Sequence, residues 1–166
     1  MTLSLPYGPI FTNINVYLSI AEGALAESTR LLEANRTPKP DGQPGYILSS
    51  DPERKSFKQS CIAIAFAGMY LGALLSIIGR ARLGKDLYKK IERITTYEEK
   101  LRLLGVCEQR VLASCKRFRK TRNDLMHESA IDFEKLAAGE IRTAQEEAVF
   151  GVEFVKSIGS KLLPAP

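Results

Sequence analysis

Residues 59–79 of this chain, QSCIAIAFAGMYLGALLSIIG, contain no charged side chain. A run of that length approaches the roughly 20 residues needed to cross a bilayer. A helix that is apolar all round is either a membrane span or the central helix of a bundle. This one is rich in Ala, Gly and Ser, and it sits within a longer, charged helical pattern that begins near Arg54. The flanking segments are amphipathic, and each needs an apolar partner. That need favours a central core helix. A single-span membrane protein, resting on 59–79 alone, is the alternative.

Elsewhere no segment alternates with period two for long, and apolar residues recur at helical spacing. Residues 11–35 predict a first helix with Ile14, Tyr17, Leu18, Leu25, Leu31 and Leu32 available for burial. TPKPDGQPG then breaks the pattern, so 36–50 is expected to be a proline-rich surface loop rather than a lid. Ser50 or Asp51 can cap the second helix, with Glu53 reaching back or Pro52 in the first helical position. A short basic helix follows over 85–93. Thr96 and Glu99 supply a capping box for YEEKLRLLG, and another helix runs from about Glu108 into RNDLMHE. The last helix carries Ile141, Ala144, Ala148, Val152, Val155 and Ile158 on one face. The expected fold is all-α: one domain over 1–166, an antiparallel bundle of four to five principal helices.

The 24 Lys+Arg against 19 Asp+Glu leave a net charge of +5, which suits a polyanion or an anionic membrane surface without demanding either. Cys61, Cys107 and Cys115 form no CxxC pair, and there is one histidine, so no zinc-ligand pattern and no cofactor is expected. Reduced thiols and the lack of a signal-peptide pattern point to a cytoplasmic protein.

The chemistry concentrates near that single histidine. On the helix leading to it, Val111, Cys115, Phe118 and Leu125 form a buried stripe, and the position that would complete it is Arg122. A guanidinium is almost never buried without a partner, so either a cleft opens there or an anion meets it. Asn123 and His127 are i and i+4, neighbours on an adjoining face, where the amide can orient the imidazole. Arg122 lies about 140° round from His127 on an ideal helix. Upstream, KRFRKTR (116–122) holds five basic residues in seven. Lys116, Arg119 and Lys120 are candidate RNA-phosphate contacts, and a solvated basic face is the plainer reading.

RNDLMH resembles the R-x(4–6)-H motif of the HEPN family (higher eukaryotes and prokaryotes nucleotide-binding). The motif stands late on a helix of an expected all-α bundle, and the similarity covers about 50–160. The resemblance implies a dimerising helical domain. Many members are metal-independent ribonucleases, toxins or phage-defence effectors, some partnered by a nucleotidyltransferase-like antitoxin. Arg122, Asn123 and His127 are then the catalytic residues, RNA is the substrate and a homodimer the working form. Some toxin subfamilies carry a tyrosine two residues beyond the histidine; Ser129 stands there in this chain.

Metal-free RNA cleavage needs a proton taken from the 2′-OH, charge stabilised at phosphorus and a proton for the leaving 5′-oxygen. Histidine can do either proton step near neutral pH, and arginine offers permanently charged, bidentate donors. With one histidine per chain, a two-histidine acid/base pair requires two chains around one cleft. The alternatives are a non-catalytic HEPN-like module that binds protein or nucleotide, and a histidine that merely meets a helix C-terminal dipole.

Overall fold

Gly84 decides where the uncharged helix stops. Its φ of +83° is a conformation that glycine adopts without strain. Its N–H donates to the Arg80 carbonyl, closing α2 (Lys55–Leu83) and turning the chain directly into α3 (Lys85–Glu92). The computed structural model describes residues 2–5, 8–11, 13–48, 53–92, 96–126 and 143–163. Within these, α1 (Ile14–Ala34), α4 (Tyr97–Leu103), α5 (Gln109–Met126) and α6 (Ala144–Leu162) complete an all-α bundle of four long and two short helices.

The uncharged helix is the central one. α2 packs against all five of the others. Half of its most apolar stretch is buried in the bundle, although it is long and apolar enough to cross a membrane. Ala63, Ala67, Leu71, Leu74 and Leu75 are fully buried on it, whereas Phe57, Ile62 and Met69 remain exposed. α1 runs antiparallel to α2: Ser28 bonds to Ser60, while Tyr17 meets Phe66 further along. α6 runs parallel to α2, because Gln145 reaches Ser56 and Gly159 receives Tyr70. α5 is antiparallel to α6, with Arg117 on Glu147 and Phe118 against Gly151.

Close packing rests on small residues. The line of α1 that goes fully inside is Ile14, Ala21, Ala24 and Ser28, while the expected Leu25, Leu31 and Leu32 are only partly covered. Small side chains let the two helix backbones approach, and the serines bond across the seam. At Gly79 a Cβ would lie 2.1 Å from the ring of Tyr88, so α3 folds back onto α2 through a notch that only glycine leaves open. Burial there pushes the Tyr88 phenol up to about 12.

Several helix ends are as expected. Thr96 and Glu99 form a reciprocal capping box at α4, and Thr143 and Glu146 form a second at α6. α4 ends in a Schellman motif: the Val106 N–H reaches the Leu101 carbonyl and the Gly105 N–H reaches that of Arg102. Arg82 donates to the Leu104 and Leu162 carbonyls, so one guanidinium ties the C-terminal ends of α4 and α6.

The chain departs from expectation at two places. Residues 36–50 are not a plain loop. β3 (Arg36–Pro38) pairs antiparallel with β4 (Tyr46–Leu48) around a 3-10 turn, Pro40–Gly42. Proline is tolerated because each strand of a two-stranded ribbon has an open edge, so its missing N–H need cost no ladder bond. The first helix also begins at Ile14 rather than 11, because Phe11 ends β2 (Gly8–Phe11), which pairs with β1 (Thr2–Leu5). The Ser50/Asp51 cap falls outside the described residues; α2 itself starts after Arg54, whose φ is +51°.

Candidate functional site

α5 exists because two apolar lines and a basic face alternate along it at helical spacing. Leu112, Cys115 and Phe118 are buried, and Val111 and Leu125 pack partly against the core. Phe118 reaches the Phe154 ring at 5.8 Å between centroids. Burial pushes the Cys115 thiol up to about 12, so it stays protonated and inert at neutral pH.

The basic run 116–122 is divided three ways by its neighbours. Arg117 bonds to the Glu147 carboxylate of α6 at 2.7 Å and lies 3.7 Å over the Phe150 ring. Thr121 donates to the same carboxylate at 2.9 Å. Arg119 grips Glu98 of α4 through Nε and Nη2 at 3.1–3.2 Å, and this hydrogen bonding raises its already high pKa. Both glutamates are nearly buried, at 8% exposure. Lys116 and Lys120, one turn apart, are exposed.

Arg122 is the exception. Its stem lies on α2 so closely that a Cβ at Gly68 would be 2.5 Å from its Cδ and Nε. The Nε is buried and has no hydrogen-bond partner. No carboxylate pairs with this guanidinium among the described residues, and its terminal nitrogens are not among the buried unpaired atoms. A buried unsatisfied donor costs about 1–3 kcal/mol, and such groups are rare enough to call for a reason.

The site residues therefore do not all share one face. Arg122 points in at α2, while Lys120 lies about 160° round the helix. Arg119 is occupied by Glu98, so of the three candidate phosphate contacts only the lysines stand free at the surface. Asn123 is half-buried beside Arg122, and His127 lies outside the described residues. Gly68 and its neighbour Gly72 are what sequence reading missed. Two glycines at i and i+4 in a helix interior were the available signal, since glycine is unfavourable there unless something approaches closely. No protein-family model, curated protein or solved structure matches this chain.

Proposed function

We propose that the protein is a metal-independent RNA endonuclease of HEPN type, in which Arg122 binds the scissile phosphate and His127 transfers a proton. The observation that carries this reading is selective pairing. Of three arginines within six residues, Arg117 and Arg119 each have a glutamate, and Arg122 has none. A guanidinium left without an internal counter-ion, half-buried in a wall of apolar side chains, is an anion receptor whose partner comes from outside. His127 enters through RNDLMH. The family resemblance adds a toxin or phage-defence role and a nucleotidyltransferase-like antitoxin. The test is cleavage of single-stranded RNA by the purified protein in EDTA. Binding without cleavage would mark the non-catalytic, nucleotide-binding form of the same module.

The composite site also requires a homodimer. Met69, the residue after Gly68, is exposed, as is Ile62 two turns earlier, and residues 59–79 hold no charge to oppose association. Sedimentation at micromolar concentration is expected to give a species of twice 18.4 kDa, and Met69→Lys is expected to dissociate it. A wild-type monomer would remove the basis for a shared site.

RNA affinity should fall steeply with salt through Lys116 and Lys120. Replacing both by alanine is expected to weaken all sequences alike and flatten the logarithmic salt slope by about two. Arg119→Ala should instead destabilise the fold by leaving Glu98 unpaired. An affinity that ignores salt would exclude phosphate contacts by these lysines.

A further inference from the structure

Tyr97 opens α4, and its hydroxyl lies over Gly72 of α2, 3.5 Å from where a Cβ would stand. Gly72 is one turn along α2 from Gly68, which carries Arg122. Positions at this spacing lie roughly 5–6 Å apart on the helix surface. The Tyr97 hydroxyl makes no hydrogen bond among the described residues, and the Arg122 Nε has no partner either. Two unused donors from different helices thus converge on one strip of bare helix backbone. One turn further, the strip ends at Ser76, which donates to Glu92, and Glu92 is also paired with Arg80 at 3.3 Å. That carboxylate is already neutralised, so it closes the groove without repelling an anion in it.

We propose that Tyr97 and Arg122 form a two-point clamp for one phosphodiester, seated on the Gly68–Gly72 face of α2. The choice of a phosphodiester over other anions rests on the ribonuclease reading above. A phosphate accepts hydrogen bonds of about 2.8 Å on oxygens of different orientation, which suits donors one helical turn apart. The guanidinium supplies charge, and the phenol supplies a neutral donor that holds the orientation. Gly68 is a positioning residue: it leaves the space in which the arginine stem lies. Tyr97 was not singled out from the sequence because its relation to Arg122 exists only through α2.

The clamp is tested by binding, apart from cleavage. A 2′-deoxy dinucleotide keeps the diester but lacks the 2′-OH that cleavage needs. Titrated into the full-length protein, it is expected to shift the Arg122 Nε–H resonance, which burial should protect from solvent exchange. Tyr97→Phe is expected to weaken its Kd by roughly 10-fold, the loss of one hydrogen bond to a charged group, with an unchanged melting temperature. Gly68→Ala is expected to abolish the Arg122 shift while the melting temperature holds or rises, since alanine favours a helix interior. If Arg122→Met abolishes binding and Tyr97→Phe leaves it unchanged, the clamp is wrong and the arginine reading stands. If the wild type binds no dinucleotide, or binds it equally well without Arg122, both fail.

Discussion

Alanine at either Arg122 or His127 should lower EDTA-resistant RNA cleavage by about 10³-fold. That is the scale for losing one transition-state charge donor or one general acid–base group. The double variant should be little worse than either single one, because groups that act on one transition state fail together. RNA binding should survive His127→Ala better than loss of Lys116 and Lys120. Stability supplies an independent readout. Arg122→Met keeps most of the side-chain volume over Gly68 and removes the buried, unpaired Nε. It is expected to stabilise by about 1 kcal/mol, raising Tm by about 2–4 °C for a domain of this size. A variant more stable and less active is the mark of a group kept for function. If wild type cleaves no RNA, or if Arg122→Ala unfolds the protein, the arginine is structural and the catalytic reading is lost.

The second large effect is on the fold, and it needs two glycine substitutions in the same helix. Gly79→Ala places a methyl group 2.1–2.8 Å from three atoms of the Tyr88 ring, which is fully buried and cannot swing away. Overpacking of this kind costs about 1–3 kcal/mol, and α3 would have to leave α2 to relieve it. After the helix-propensity gain of about 1 kcal/mol, a net loss of about 2 kcal/mol is expected, or 4–8 °C in Tm. Gly68→Ala makes an equally short contact, but with the stem of a half-exposed arginine that can move outward. Thermal unfolding of the two variants should therefore diverge in sign. Equal losses at both sites would mean that Arg122 is held as firmly as Tyr88, which would count against an arginine free to engage a ligand.

Much of the architecture was legible before any coordinates, because its signals are local. The uncharged run 59–79 had to be central once the other helices were amphipathic. Thr96 with Glu99, Gly84 and Gly105 mark helix ends through chemistry confined to a few residues. Ala148, Val152, Val155 and Ile158 kept the face that their spacing assigned. The place of Arg122 in the buried stripe of α5 was equally a matter of period. Large apolar residues misled in α1, because the seam with α2 is built from alanine and serine that bring the backbones together.

What the sequence left open was how the charges pair. KRFRKTR reads as one basic face, yet Glu98 of α4 and Glu147 of α6 take two of its arginines and leave the third on Gly68. Those partners lie 21 and 30 residues away along the chain, and Tyr97 reaches the same groove from another helix. A periodic pattern says which side of a helix faces inward, since that depends only on residues a turn apart. Which carboxylate, hydroxyl or bare glycine waits on the facing helix depends on how the helices are set against each other, and only the tertiary packing decides that.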